Sequence, residues 1–231
     1  MKNRILTTAP LLVGLFFLSF FTFSCKKHTP APAPTLTVTD ADGNVYQTIT
    51  IGTQTWMAEN LKTTKYNDGT NIPYIADQGG WTGLSFPGYA WYNFDNANKV
   101  SYGALYNWHA VNTGKLAPTG WHVASEADWQ TLLTFLGGAL IAGDKLKEAG
   151  NTHWGVPSTN ATNETGFTAL PGGFMTNFGT SANLISTGYF WTATTVDAST
   201  AQSHTMSRSS AETTLNTYNK SCGLSVRCVK D

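Results

Sequence analysis

The sequence predicts an α+β domain in which short antiparallel strands pack against one main helix and are joined by long irregular loops. Three observations carry this expectation. Residues 125–137 form the one strongly specified helix, whereas many short runs elsewhere alternate apolar and polar residues between Gly, Pro, Asn and Asp clusters. The chain of 231 residues is 41% hydrophobic and 13% aromatic but only 12% charged, with eight Trp and 22 Gly. Such a composition can fill a core with rings and leave much of the backbone in turns, unlike a disordered profile.

The helix is legible from its ends. Pro118-Thr119-Gly120 is a turn, and Trp121 to Ala124 can extend behind it. Ser125 stands where an N-cap belongs, with Asp128 placed as the partner of a capping box. Glu126 and Asp128 bring negative charge to the first turn, which the helix dipole favours. Trp129, Leu132, Leu133 and Leu136 repeat at i, i+3, i+4 and i+7, making one apolar face, and Gly137 can close the helix in a left-handed conformation.

At the N-terminus, Lys2 and Arg4 precede an apolar run from Ala9 to Phe23, the pattern of a secretory signal over residues 1–24. The run ends Thr-Phe-Ser-Cys at 22–25, which resembles a bacterial lipobox. The resemblance implies cleavage before Cys25 and acylation there, hence a lipoprotein held at the cell envelope by palmitate-like chains, as on an outer membrane. Several buried acyl chains give stable anchoring. Residues 25–36 contain Lys26, Lys27, His28 and alternating Pro, an extended tether. The domain then runs 37–231, about 190 residues, within the reach of a single core. Without Lys2 and Arg4, 12 basic residues face 14 acidic ones, a mature charge of about −2. That leaves no basic field for nucleic acid.

Leu36–Asp40 and Val45–Ile51 flank Asp42-Gly43, a hairpin signal; the acid spacing lacks the remaining ligands of a calcium loop. Trp56-Met57 continues as strand. Tyr66 to Pro73 is turn chemistry, and Gly79 to Pro87 reads as a long surface loop. Tyr89 to Asn93 and Ala104 to Trp108 echo one another weakly. Asp144 to Ala149 is a short second helix. Strands follow at 166–170, 189–195, 203–207, 213–218 and 224–229.

Once Cys25 is acylated, Cys222 and Cys228 remain. An extended chain between them separates their Cα atoms by roughly 20 Å, beyond the limit of about 7 Å for a bridge, so both read as buried thiols.

Several segments together resemble the Fibrobacter succinogenes major paralogous domain: Asp42–Tyr46, Ile51-Gly-Thr-Gln-Thr-Trp-Met-Ala-Glu-Asn-Leu61, Tyr66–Thr70, Tyr102–Trp108, Pro118–Val123, Ala161-Thr-Asn-Glu-Thr-Gly-Phe167, Leu170–Phe174 and Gly223-Leu-Ser-Val-Arg-Cys-Val229. The resemblance spans essentially all of 37–231. It implies a secreted or lipid-anchored bacterial surface protein with no established general activity. It also implies a C-type lectin-like fold, akin to the formylglycine-generating enzyme group through Ala124–Trp129 and Gly223–Arg227. A shared fold does not transfer function.

The chemistry suggested by these relatives is weak here. Copper oxidation needs two neighbouring Cys, which the spacing of Cys222 and Cys228 opposes. Calcium-dependent sugar binding needs carboxylate–amide pairs; Asn160, Asn163 and Glu164 are the nearest oxygen cluster, in a turn-rich stretch. His109, His122 and His153 each neighbour a Trp without metal-ligand spacing, and Trp-inward, His-outward alternation accounts for them. No Gly-x-Ser-x-Gly elbow, phosphate loop or dinucleotide fingerprint occurs, and no cofactor is expected.

The affirmative signal is aromatic. Trp81, Tyr89, Trp91, Tyr92 and Trp108 lie in or near loops, where exposed rings stack on sugars or partner surfaces. The sequence therefore reads as a lipid-anchored envelope protein with a non-catalytic binding or scaffolding domain for glycan or a surface protein. An enzyme derived from the formylglycine group and a purely structural surface protein are the alternatives. The binding reading expects several of those five rings to be exposed together.

Overall fold

The computed structural model describes residues 36–231. The expected signal, the acylated Cys25 and all of the tether before Leu36 lie outside those residues. In chain order the elements are β1 (Thr37–Thr39), β2 (Val45–Ile51), β3 (Gln54–Met57), α1 (Gln78–Trp81), β4 (Tyr89–Ala90), α2 (Asn98–Tyr102), β5 (Leu105–Asn107), α3 (Trp108–Val111), β6 (Trp121–Val123), α4 (Glu126–Phe135) and α5 (Ala139–Leu146). Beyond these come β7 (Gly172–Met175), β8 (Ser181–Leu184), β9 (Thr187–Thr195), β10 (Thr200–Ser207), β11 (Thr213–Asn219), β12 (Gly223–Leu224) and β13 (Cys228–Lys230). The architecture is mixed α+β with strands dominant, as expected.

The strands form two sheets. One has the order β1-β2-β3-β13-β6 and is antiparallel throughout. The other runs β11-β10-β9-β7-β12-β5-β4, with β8 beside β7 and one parallel pairing, between β7 and β9. The first hairpin turns as its sequence demands. Asp40 Oδ1 accepts the backbone N–H groups of Asp42 and Asn44, both at 2.9 Å, and Tyr46 donates its hydroxyl to Oδ2 at 2.6 Å. The two weakly similar segments at 89–93 and 104–108 are partners: Tyr89 faces Tyr106 and Ala90 faces Leu105 in an antiparallel pair.

Helix α4 carries both expected caps. The Ser125 side chain accepts the Asp128 N–H, and Asp128 Oδ2 accepts the Ser125 N–H at 2.8 Å, closing the capping box. At the other end Gly138 N–H reaches Leu133 O at 2.9 Å and Gly137 N–H reaches Thr134 O at 3.1 Å, with Gly137 at φ +93°. This is the double bond of a Schellman close. The apolar face packs into a ring cluster in which Trp129 lies 5.3 Å from Trp56, 5.8 Å from Phe167 and 5.9 Å from Phe190, centroid to centroid. Tilted and edge-on pairs of this kind add roughly 0.5–1.5 kcal/mol each beyond the area they bury.

Four expectations need correction. The second helix is α5, which starts five residues before Asp144 and ends at Leu146. Within it, a Cβ at Gly143 would sit 2.7 Å from the carbonyl oxygens of Ala211 and Glu212. The glycine lets the helix backbone press against the lead-in to β11. The stretch 166–170 is not a strand; the chain enters the sheet two residues later, at β7. The single strand expected over 224–229 is two, because β12 belongs to the larger sheet and β13 to the smaller, with Ser225–Arg227 crossing between them. The supposed surface loop at 79–87 holds α1, capped by Asp77, whose Trp81 is fully buried. Trp81 donates its indole N–H to Ser221 O at 2.9 Å and presses on Gly223, where a Cβ would lie 2.8 Å from the ring.

Candidate functional site

The segments that carry the family resemblance converge on one buried side chain. Arg227 is fully buried between the sheets; its Nε donates to Asn60 Oδ1 at 2.8 Å. Its Nη1 donates to Met57 O at 3.0 Å and to Phe167 O at 2.6 Å, and its Nη2 donates to Thr168 O at 2.8 Å. The guanidinium also lies 4.3 Å from the Phe167 ring centroid. Asn60 extends the network to Tyr102 O at 2.9 Å. Burial pulls the Arg227 pKa down to about 9, so the group remains a cation at neutral pH. Each of these side-chain nitrogens has a hydrogen-bond partner within the protein.

Three histidines are engaged with carboxylates. His122 bridges Asp231 at 2.7 Å and Asp128 at 3.1 Å; burial alone would lower its pKa, but the two carboxylates together raise it. His204 bonds Glu126 at 2.9 Å and stacks on Trp129 at 4.7 Å, and burial lowers its pKa. His153 bonds Glu148 at 2.9 Å. Strand alternation does not account for Trp108–His109 or Trp154–His153, where a buried Trp adjoins a half-buried His outside any strand. In β6, where strand alternation applies, Trp121 and His122 are both half-buried.

Cys222 and Cys228 are free, buried thiols. Burial pushes Cys222 up to about 11 and Cys228 far above its usual range. Burial therefore favours the neutral thiol at both positions. Asn163 engages Thr168 through Oδ1, which accepts the N–H at 2.8 Å, and through Nδ2, which donates to the hydroxyl at 2.9 Å. Glu164 pairs with Lys145 at 3.2 Å. Asn163 thus serves its own turn, and Glu164 ties that turn to α5.

The five sequence-selected aromatics do not form one exposed platform. Trp81, Tyr89, Trp91 and Trp108 are buried and Tyr92 is half-buried. Trp108 donates its indole N–H to Thr192 O at 2.9 Å, and Trp81 belongs to a separate core cluster with Leu84 and Met175. These rings fill the interior of a domain with few large aliphatic residues.

Two of these buried rings lie behind a surface depression whose exposed ring is Tyr74. Tyr89 and Trp91 meet edge to face at 5.3 Å, and Tyr74, 44% exposed, lies 5.4 Å from Tyr89. With Thr64, Asn96 and Lys99 these rings line an open depression of about 410 Å3, within the range of ligand sites. Its walls are held firmly. Ile75 N–H donates to Tyr89 O at 2.9 Å and Tyr89 N–H to Pro73 O at 3.1 Å, which fixes Tyr74 beside β4. After Trp91 the chain makes a tight 3-10 turn, with Asn93 and Phe94 at φ +54° and +57°. Asn98 Nδ2 donates to Tyr92 O at 3.0 Å and ties α2 to that turn, which places Lys99 Nζ 5.3 Å from the Trp91 ring. Thr64 is held by its N–H donating to Asp42 Oδ2.

Tyr74, Thr64, Asn96 and Lys99 escaped the sequence reading. Tyr74 follows Ile72-Pro73 in what reads as turn chemistry, and α2 lacks an apolar period. The proximity of Tyr89 and Trp91 in sequence was the available signal. The depression contains phenols, an amide, a hydroxyl and an ammonium, but no carboxylate or imidazole to act as a base.

A family model for the Fibrobacter succinogenes major domain matches residues 49–230. No curated protein and no solved structure matched the chain.

Proposed function

The chain belongs to the Fibrobacter succinogenes major domain family, and from that premise we propose that it is a lipid-anchored envelope protein whose domain binds glycan without catalysis. The carrying observation is the depression lined by the exposed Tyr74 ring, with the buried Tyr89 and Trp91 behind it, hydroxyl and amide groups at its rim and no carboxylate or imidazole among its lining residues. The Tyr74 ring suits the C–H faces of sugars, and Thr64 and Asn96 suit their hydroxyls. The domain has a C-type lectin-like fold in this proposal, but binds at the ring surface and not through calcium. Acylation at Cys25 and the Pro-rich tether over residues 25–36 hold the domain off an outer membrane.

The test is a glycan screen with the full-length protein. Saturable binding of a defined oligosaccharide supports the proposal; no binding across neutral and acidic glycans contradicts it and leaves a structural surface role.

A further inference from the structure

Resting on that glycan-binding reading, we infer that the ligand is an acidic glycan, its sugars bearing carboxylate or sulfate, and that Lys99 selects the charge. The lysines around the rings differ in how their charge is balanced. Lys65 pairs with Asp42 at 3.6 Å, and Lys62 pairs with Glu59 at 3.7 Å and lies over Tyr46. Lys99, by contrast, makes no ion pair and no side-chain hydrogen bond among the described residues, though it is half-buried against Trp91 and lines the depression.

The nearby acids are engaged elsewhere. Asp95 Oδ1 accepts the Ala97 N–H at 2.9 Å, and Asp42 is held by Thr63, Thr64 and Lys65. The depression therefore offers one uncompensated cation near the exposed Tyr74 ring. A neutral sugar leaves this ammonium without an anion, whereas an acidic sugar supplies one while its ring rests on Tyr74. Charge-assisted hydrogen bonds are the stronger class, and this one forms where the rings exclude part of the solvent.

Isothermal titration of the full-length protein with three probes tests this: oligogalacturonate, its fully methyl-esterified form, and a sulfated galactan oligosaccharide. Esterification keeps the sugar chain and removes the charge. The expected result is binding of oligogalacturonate, of the sulfated chain or of both, weakening with added salt, and at least about tenfold weaker binding of the ester. Which anionic probe binds names the source of the charge. Lys99→Gln should lose about tenfold for the anionic probe, Lys99→Arg should retain most of it, and both should melt like the parent. Equal binding of the acid and its ester, or an unchanged Lys99→Gln, overturns the charge inference and leaves glycan binding standing. Failure of all three probes and of neutral glycans removes both readings together.

Discussion

Arg227 and Lys99 are both cations set against aromatic rings, yet they sit in opposite circumstances. Arg227 is sealed between two sheets with four hydrogen bonds to Asn60, Met57, Phe167 and Thr168. Lys99 lies over Trp91 at the edge of an open depression with no partner among the described residues. The first cation joins segments distant in the chain and so specifies the fold. The second leaves a bonding capacity that no group among the described residues takes up. The comparison explains why the family resemblance says so much about architecture and so little about ligands: Asn60, Phe167 and Arg227, within its segments, are committed to the interior.

Several substitutions can break or sharpen this contrast. Arg227→Met removes the guanidinium and orphans three buried carbonyls and the Asn60 amide oxygen, so about 3–5 kcal/mol of stability should be lost in urea unfolding. A loss below about 1 kcal/mol would place the fold's organising bonds elsewhere. Gly143→Ala sharpens the packing side of the account. In an exposed helix this change gains up to about 1 kcal/mol, but here the methyl would meet two backbone carbonyls at 2.7 Å. A net loss of about 1–3 kcal/mol is expected in thermal melts. Ser125→Ala removes the cap of α4 and should cost about 1 kcal/mol.

The smallest effect is pH-dependent. The folded His122 pKa is raised from 6.5, so its contribution is complete below that value and fades as pH rises through the folded value. Its partner Asp128 is lowered from 3.8, because bonds from Ser125 and His122 outweigh burial, so that contribution fades as pH falls below 3.8. The clasp is strongest between those limits. His122→Gln should therefore destabilise more at pH 5 than at pH 8, by well under 1 kcal/mol because the group is partly exposed. Equal destabilisation at both pH values would show that the clasp does not depend on the imidazolium.

What could be read from the chain was what is decided locally. Ser125, Asp128 and Gly137 lie within a few residues of the groups they cap, and Asp42-Gly43 makes its own turn, so α4 and the first hairpin were legible. The start of α5 at Ala139 was not legible, and the glycine inside it, Gly143, is accounted for by the carbonyl of Ala211, on a distant segment. Trp81 read as a loop ring because the space that buries it is made by Gly223. The alternation over 224–229 was visible, but pattern alone does not say that the chain changes sheets at Ser225. Tyr74 and Lys99 gave no signal for a related reason: a side chain left unpartnered by the fold is recognisable only after every other partner has been assigned.

The central claim is that the resemblance segments build the fold while the Tyr74–Lys99 depression is left free to bind. Tyr74→Ala tests it most directly, measured for thermal stability and glycan affinity on the same full-length preparation. The account expects stability within about 0.5 kcal/mol of the parent, with binding weakened at least about tenfold. A variant that binds as the parent does, or that unfolds as readily as Arg227→Met, would contradict it.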